Sequence, residues 1–316
     1  MRITGINTAS NLSCTNKKYE QNFKGLSKIT APQKALTNSI KIVFSDIDGT
    51  ISEHSDLLSK KTIDSINFLH KKGIPVVLTT ARCYQDTLPI IEQFSHNPDY
   101  TITLQGGSLI NNKGIPFFEN VISPKAAKKL VTWFNSIRKK DKNSHLIMYF
   151  NEHPYSTSKI QFPWKAKFLI EQVPSFDNLL KNNKLHKAVI YKTDVKNCPN
   201  YNQKAIIDSF NNARIPDLKI NSSGPNLLEF QNKWVSKDKA IDFLLRSLKI
   251  NPQNAMVIGD SSNDIEMLDF VRGKGGLAVA MGNAHNSVKQ HANAITSSVT
   301  QDGFSNIIEK LFSKGD

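Results

Sequence analysis

Cysteine and long apolar segments are both scarce in this sequence. Its 316 residues contain three cysteines, Cys14, Cys83 and Cys198, which lie far apart and match no metal-ligand spacing. A disulfide framework is therefore not expected, and a reducing compartment, the cytoplasm, is predicted. No apolar run approaches the roughly 18–20 residues of a membrane span, so no segment is expected to cross a membrane.

Acidic residues are outnumbered by basic ones. The chain has 41 Lys and Arg against 27 Asp and Glu, which gives a formal net charge of +14. Such an excess is typical of proteins that bind nucleic acid, an anionic membrane face or a phosphorylated substrate, and also of basic surfaces that are merely solvated. No helix-turn-helix, zinc-finger or RNA-binding motif is present, so no nucleic-acid partner is expected.

The hydrophobic pattern divides the chain into a tail and a split core. Residues 1–38 have no sustained apolar pattern and are predicted to be a flexible tail. Short β-prone runs alternate with helical stretches from 39 to 112 and again from 225 to 316. This alternation predicts an α/β fold whose core is a doubly wound parallel sheet.

The segment from 113 to 224 follows a different pattern. Ser123 and Pro124 open a long helix, because serine caps a helix and proline is tolerated at its first position. Strand-like runs follow at Leu146–Phe150 and Ala188–Tyr191. The segment is therefore predicted to be an α+β domain inserted into the core.

Carboxylates stand directly after two of the predicted core strands. Asp46 and Asp48 belong to the run Asp-Ile-Asp-Gly-Thr after the first strand, and Asp260 and Asp264 to Gly-Asp-Ser-Ser-Asn-Asp after a later one. Like charges this close cost free energy unless a cation compensates them. Ligand sites in open α/β sheets lie at the carboxyl ends of strands, and carboxylates suit Mg²⁺. Alone, the first motif is equally compatible with a solvated surface turn.

Two weaker motifs accompany these carboxylates. Thr79-Thr80-Ala81-Arg82 follows the second strand, where a hydroxyl beside free helix N–H groups suits an anion. A threonine helix cap would explain the same residues. Lys237 stands in the first turn of a helix, where a cation opposes the helix dipole unless an anion lies nearby.

Together the four motifs resemble those of the haloacid dehalogenase (HAD) superfamily of phosphotransferases, whose members share a Rossmann-like core. The α+β insertion between the second and third motifs resembles the Cof-type, class IIB branch, which includes sugar-phosphate phosphatases. Further matches lie at Asp264–Leu268, Ala280–Ala284 and Asp302-Gly303. Two positions depart from the pattern: Gln105 stands where asparagine is usual, and Ala81 where glycine is usual.

The resemblance implies a Mg²⁺-dependent phosphatase that acts through an aspartyl-phosphate. Asp46 would be the nucleophile, and Asp48 the general acid and then the general base. The metal would be held by Asp46, the backbone carbonyl of Asp48, Asp260 and Asp264.

The resemblance also assigns residues to the phosphate and the substrate. Lys237 would neutralise charge on the nucleophile and the phosphate. Thr80, Asn263 and backbone N–H groups such as that of Gly49 would hold the phosphoryl oxygens. Arg82 is expected either to face the substrate or to form a structural ion pair. The insertion would act as a cap that excludes water and selects the leaving group.

Two other functions stay open from the sequence. One is a phosphomutase that uses the same aspartyl-phosphate, and the other is a basic nucleic-acid-binding protein built on a HAD scaffold. The tail carries a net charge of +5, the insertion +11 and the remainder −2. A basic cap over a phosphate site is expected to steer a small phosphorylated metabolite toward it.

Overall fold

The chain folds into two β-sheets, each packed against helices. The computed structural model describes residues 39–53, 55–160, 170–193 and 202–312. Within these ranges the chain forms an eight-stranded sheet and a six-stranded sheet. The predicted tail, 1–38, lies outside them. No helix in the described ranges combines the length and the hydropathy that a bilayer crossing requires.

Outside the insertion strands alternate with helices, except between 100 and 119, where three strands follow one another without an intervening α-helix. The strands are β1 (Ile42–Ser45), β2 (Val76–Thr79), β3 (Tyr100–Thr103), β4 (Ser108–Asn111), β5 (Pro116–Glu119), β6 (Ser144–Phe150), β7 (His153–Ser156), β8 (Glu171–Gln172), β9 (Leu185–Lys192), β10 (Leu218–Ser222), β11 (Leu227–Asn232), β12 (Ala255–Gly259), β13 (Leu277–Ala280) and β14 (Ala294–Ile295). The helices are α1 (Lys60–Lys71), α2 (Tyr84–Ile91), α3 (Pro124–Lys140), α4 (Asp177–Asn182), α5 (Gln203–Asn212), α6 (Lys237–Ser247), α7 (Ile265–Gly273), α8 (Asn286–Lys289) and α9 (Gly303–Phe312).

The eight-stranded sheet is the predicted core. Its order is β14-β13-β12-β1-β2-β3-β4-β5, and the strands from β14 to β3 run parallel. Val43 lies in the apolar cluster that includes Leu69 of α1, whereas its neighbour Phe44 lies in the cluster that includes Leu268 of α7. Apolar strands buried on both faces are typical of a parallel sheet covered by helices. The predicted α/β, Rossmann-like doubly wound core is confirmed.

The six-stranded sheet, with helices α3 to α5, forms the inserted α+β unit that we call the cap. Its order is β10-β11-β9-β6-β7-β8. Helices α3, α4 and α5 cover one of its faces through Leu130, Leu180 and Phe210. The other face contributes side chains to a cavity that it shares with the carboxyl end of the core sheet.

Two strands lie on the other side of the predicted domain boundaries. The prediction places β5 in the insertion, but β5 pairs with β4 in the core sheet. It places β11 in the core, but β11 pairs with β9 in the cap sheet. The turn at 112–114 ends a strand without ending the sheet, and a short apolar run such as 227–230 does not reveal its partner strand. We therefore propose 120–235 as the cap in place of 113–224.

Candidate active site

The site begins where two neighbouring parallel strands end. β1 pairs with β12 on one side and with β2 on the other, so the strand order reverses at β1. Such a reversal opens a crevice at the carboxyl edge of a sheet. Asp46 directly follows β1, and its N–H donates to the Ile258 carbonyl at 3.0 Å. Asp260 directly follows β12, so both carboxylates stand at this crevice.

Lys237, the first residue of α6, is fully buried between two carboxylates. Its Nζ lies 2.6 Å from Oδ1 of Asp46 and 2.7 Å from Oδ1 of Asp264. Burial acts to lower the pKa of Lys237, but the charges of Asp264 and Asp46 outweigh it and raise that pKa. The unusual cation at a helix start thus has two anions as partners, and Lys237 and Asp46 lie in direct contact.

Three carboxylates converge around this lysine. Asp46, Asp260 and Asp264 each offer one oxygen within 4.8 Å of the others. Burial raises the pKa of Asp46 well above its usual value, and the charges of Asp264 and Asp260 add to this while Lys237 opposes it. Three carboxylates beside one ammonium leave an excess of negative charge on hard oxygen donors. This donor set fits a divalent cation such as Mg²⁺.

The carboxylate of Asp260 is oriented by two neighbours. Thr50 Oγ1 donates to its Oδ1 at 3.3 Å, and Asn283 Nδ2 lies 3.3 Å from its Oδ2. Asn283 also donates to the Gly49 carbonyl at 2.9 Å and accepts the Val299 N–H at 2.9 Å. Sequence reasoning found the run that contains Asn283 but gave it no role, since nothing in the run shows that its amide reaches a carboxylate 23 residues away.

Asp48 lies outside the carboxylate cluster and faces a guanidinium. Arg82 Nε and Nη2 donate to the two oxygens of Asp48 at 2.9 and 2.6 Å, and Nη1 donates to Asp56 at 2.8 Å. These partners raise the pKa of Arg82, although burial alone would lower it. Of the two roles considered for Arg82, the structural ion pair is therefore the one present here. The fork also fixes the orientation of the Asp48 carboxylate.

The three predicted phosphate-binding residues occupy different situations. Thr80 is buried at the end of β2, where its hydroxyl accepts the Arg82 N–H at 3.1 Å and keeps its own proton to donate. Asn263 is exposed and lines the cavity next to Lys237. The N–H of Gly49 instead donates to the Ser52 carbonyl at 2.7 Å. Because the local turn uses the Gly49 N–H in this conformation, a phosphoryl oxygen would compete with Ser52 for it, and the assignment of Gly49 stays a prediction.

A cavity of about 850 Å³ opens beside Lys237 and is walled by both the core and the cap. Gln105, one of the two residues that depart from the expected motifs, lines it and has a left-handed φ of 62°. Leu104 before it has a φ of 50°. Non-glycine residues in this region are strained and cluster at functional sites. The Gln105 N–H donates to the Thr80 carbonyl at 2.9 Å, which links this loop to the predicted phosphate position.

Comparison with known families matches this geometry. The model of the haloacid dehalogenase-like hydrolases matches residues 43–308, which includes both halves of the core and the cap. The chain belongs to the haloacid dehalogenase-like hydrolases. Sequence reasoning had identified the same superfamily from four strand-end motifs, and that identification is confirmed.

Relatives of this HAD-like hydrolase include named phosphatases. The 5-amino-6-(5-phospho-D-ribitylamino)uracil phosphatase YcsE of Bacillus subtilis is 24% identical, over 85% of this chain and 94% of its own. TM0651 of Thermotoga maritima superposes with a TM-score of 0.74 at 22% identity, over 86% of this chain and 97% of its own. The HAD subclass IIB sugar phosphatase BT4131 superposes with a TM-score of 0.65 at 23% identity, over 86% and 99%. The two structures establish the shared fold.

Gly49 offers a test of the candidate metal site in this HAD-like hydrolase. It has a φ of +83°, and a Cβ there would overlap Oδ2 of Asp260. Gly49→Ala is expected to displace that carboxylate and to weaken the binding of a divalent cation by about 10-fold or more, measured by calorimetric titration with Mg²⁺.

Gly73 supplies the matched control for this substitution. Its φ is +71°, and a Cβ would meet nothing within 4 Å. Both alanine variants therefore share the backbone strain of a left-handed residue, but only the one at position 49 touches a carboxylate of the cluster. Equal Mg²⁺ affinities of the two variants would contradict the assignment of Asp260 as a metal ligand.

Glu152 ties the cap of the HAD-like hydrolase to its core, and sequence reasoning missed it. It follows β6 in a tight turn, yet its carboxylate is buried against the core. Its Oε2 accepts the Tyr84 N–H and its Oε1 accepts the Thr103 hydroxyl, each at 2.6 Å. Burial raises the pKa of Glu152 despite these hydrogen bonds. The turn shows no motif, and only the contact across the two sheets identifies the residue.

Glu152→Gln is expected to remove a pH dependence of stability. A carboxyl group whose pKa is raised by folding contributes fully below its unfolded value of 4.5, and the contribution is lost as pH rises through the folded value. Glutamine keeps both contacts, since the Thr103 hydroxyl can accept as well as donate. Thermal unfolding between about pH 4.5 and pH 8 should therefore show the wild type losing stability relative to the variant as pH rises.

The exposed Glu92 provides the control for this pH series. Glu92→Gln is expected to follow the wild type at every pH, because an exposed carboxyl group is solvated in both the folded and the unfolded state. Parallel curves for the wild type and Glu152→Gln would show that the buried carboxyl group does not couple folding to pH.

Proposed function

We propose that this chain is a Mg²⁺-dependent phosphatase that hydrolyses a small phosphorylated metabolite, with sugar phosphates as the favoured class, through an aspartyl-phosphate. The observation that carries the proposal is the buried Asp46, whose Oδ1 is held 2.6 Å from Lys237 next to the cavity. A carboxylate fixed by a cation at the edge of a cavity can attack a phosphorus atom placed in that cavity.

The first half of the reaction transfers the phosphoryl group to the enzyme. A carboxylate oxygen of Asp46 attacks phosphorus, and the bond from phosphorus to the ester oxygen breaks. Asp48, whose side chain is 30% exposed, gives its proton to the leaving oxygen, so the product is an alcohol. Both oxygens of Asp48 accept from Arg82 in this conformation, so Asp48 carries the proton only after one of these two hydrogen bonds breaks.

The second half releases phosphate. Asp48, now a carboxylate, takes a proton from a water molecule that attacks the phosphorus of the aspartyl-phosphate, and Asp46 leaves as a carboxylate. Lys237 stays between Asp46 and Asp264 throughout and balances the charge that accumulates there. An acid two residues after the nucleophile is what turnover of a phosphoenzyme needs, which favours a phosphatase or a phosphomutase.

The proposed metal ligands are Asp46, Asp260, Asp264 and the backbone carbonyl of Asp48. Bound Mg²⁺ would shield the negative charges of the nucleophile and the phosphate from each other. Thr80 and Asn263 would then hold phosphoryl oxygens through their hydroxyl and amide groups.

The proposed substrate class rests on the cavity and on the relatives. The cavity of about 850 Å³ accommodates a small metabolite, and polar side chains dominate the part of its wall that is described. The names of YcsE and BT4131 specify phosphate esters of a ribityl compound and of sugars.

Phosphate release by the purified full chain tests the proposal. Hydrolysis of 4-nitrophenyl phosphate and of hexose, pentose and disaccharide phosphates is expected with Mg²⁺, and its loss with EDTA should be reversed by excess Mg²⁺. Turnover that persists in EDTA, or hydrolysis of none of these esters, would overturn it. A requirement for a bisphosphate activator would indicate the phosphomutase instead.

A further inference from the structure

Strand β11 presents two polar side chains to the catalytic cavity. Its residues alternate between faces, as in any strand. Leu228 and Phe230 pack into the apolar cluster of the cap, so Glu229 and Gln231 project from the opposite face. Both line the cavity that also contains Lys237. These two side chains are therefore the part of the cap strand that faces the cavity beside Lys237, the partner of Asp46.

The side-chain amide of Gln231 has its nitrogen hydrogen-bonded, while its oxygen has no partner among the described residues. It is 0% exposed, and its Nε2 donates to the Leu104 carbonyl at 2.7 Å. Because a carbonyl requires a donor, this contact sets the amide orientation and directs Oε1 elsewhere. Oε1 has no hydrogen-bond partner among the described residues. A buried acceptor without a donor is costly, so a donor is expected from whatever occupies the cavity.

Glu229 is held by a lysine on the neighbouring strand. Lys187 Nζ lies 2.7 Å from Oε1 of Glu229, and the two side chains are only 7% and 9% exposed. Within the described part of the chain, no hydrogen bond to Oε2 accompanies this ion pair. The lysine thus makes an ionised carboxylate tolerable at this depth while one oxygen stays available to a ligand.

Ser236 provides a third buried oxygen at this cavity. It precedes α6 at the helix-capping position, yet its hydroxyl makes no capping hydrogen bond. Its Oγ is buried, lines the same cavity and lacks a partner among the described residues. None of the described residues that line this cavity carries an aromatic ring. Glu229, Gln231 and Ser236 each present an oxygen that can accept a hydrogen bond from a ligand.

We infer that Glu229 and Gln231 select the leaving group by accepting hydrogen bonds from two of its hydroxyl groups, so that the preferred leaving group is a polyol. This inference rests on the proposed phosphatase function and deepens it. Gln231 also touches the strained Leu104–Gln105 loop, so the residue that binds the leaving group is anchored to the core beside Thr80. Binding of the correct alcohol thereby stabilises the docked cap.

A site built to accept hydrogen bonds discriminates against ligands that lack donors. An alcohol without the two hydroxyls leaves buried oxygens unpaired, and such mismatches reduce kcat/KM far more than the loss of an apolar contact does. The leaving group of 4-nitrophenyl phosphate has no hydroxyl besides its reacting oxygen. Its hydrolysis therefore reports on the chemistry at Asp46 without these contacts.

The test compares two variants on two kinds of ester. Gln231→Met removes both the amide oxygen and the amide nitrogen and keeps a side chain of similar size. Glu229→Gln leaves the Leu104 contact intact and turns one acceptor into a donor. The polyol esters are glucose 6-phosphate, ribose 5-phosphate and glycerol 3-phosphate. On whichever of the three the wild type hydrolyses best, kcat/KM is expected to fall by about 10-fold or more in each variant. For 4-nitrophenyl phosphate, whose leaving group makes neither contact, the loss is expected to be clearly smaller than for the polyol phosphates. Gln172→Met, at an exposed cap position, is the matched control.

The outcomes separate this inference from the proposed function. An equal loss on both kinds of ester would assign Glu229 and Gln231 to cap structure alone and overturn the inference. So would unchanged polyol kinetics, or a wild type with no preference for any of the three polyol phosphates over the aryl ester. If the wild type hydrolyses no ester at all, the proposed function itself fails.

Discussion

Asp46→Asn is expected to lower phosphate release by about four orders of magnitude or more, on every ester that the wild type hydrolyses. An amide oxygen does not attack phosphorus, so the aspartyl-phosphate cannot form. The substitution changes no volume, and Lys237 keeps its second partner, Asp264, at 2.7 Å. Steady-state assays with 4-nitrophenyl phosphate and with a sugar phosphate should both show the loss, since the same carboxylate attacks the phosphorus of every ester.

Asp64→Asn supplies the control for this variant. Asp64 is an exposed carboxylate on α1 whose ion pair with Lys60 contributes little. It should retain wild-type activity, and both variants should keep the unfolding temperature of the wild type within a few degrees. Activity of Asp46→Asn at the wild-type rate would reject the nucleophile, and mass spectrometry of the quenched wild-type enzyme would then show no aspartyl-phosphate at this position.

The convergence of the carboxylates and Lys237 follows from the sequence because it follows from topology. Asp46 and Asp260 each come directly after a parallel strand, and the carboxyl ends of parallel strands meet at one edge of the sheet. Lys237 begins a helix next to that edge, where only an anion makes its charge favourable. Each motif is weak alone, but their shared position in the fold makes the set specific.

The contacts between the cap and the core, in contrast, cannot be predicted from the sequence. Glu152, Glu229 and Gln231 lie in segments whose sequence shows strands or turns without any functional motif. Their roles arise from distances across two sheets, such as the 2.7 Å between Gln231 and the Leu104 carbonyl, which joins residues 127 positions apart. Local periodicity reports which face of a strand is apolar, but it does not report what stands opposite the polar face.

Part of the positive charge of the insertion is paired with carboxylates in the folded protein. Lys184, Lys187 and Lys192 contribute to its excess, yet each is paired with a carboxylate, those of Glu119, Glu229 and Asp141 respectively. Paired charges project a weaker field than their number suggests. The predicted steering of an anionic substrate by the cap would therefore depend on its other basic residues, whereas Lys187 pairs with Glu229 at the cavity.

Lys237→Met is expected to cost both activity and stability. It leaves two buried carboxylates without their cation, and removal of one partner from a buried charge pair typically destabilises a fold by about 3–5 kcal/mol. Loss of a preorganised charge beside the nucleophile is expected to lower kcat by about 100- to 1000-fold. Urea unfolding in EDTA and steady-state kinetics with saturating Mg²⁺ measure the two effects separately. Because the freed carboxylates of Asp46 and Asp264 then lack a counter-charge, added Mg²⁺ should raise the unfolding temperature of the variant more than that of the wild type.

Lys239→Met, two residues further along α6, is the matched control. Lys239 is exposed and stands over the ring of Trp234 at 5.3 Å, away from the carboxylates. The same change of side chain on the same helix should leave kcat and the response to Mg²⁺ unchanged, and should lower the free energy of unfolding by less than about 1 kcal/mol. If both variants lose stability equally and respond equally to Mg²⁺, the helix rather than the buried charge accounts for the loss. Lys237 then does not hold the carboxylates together.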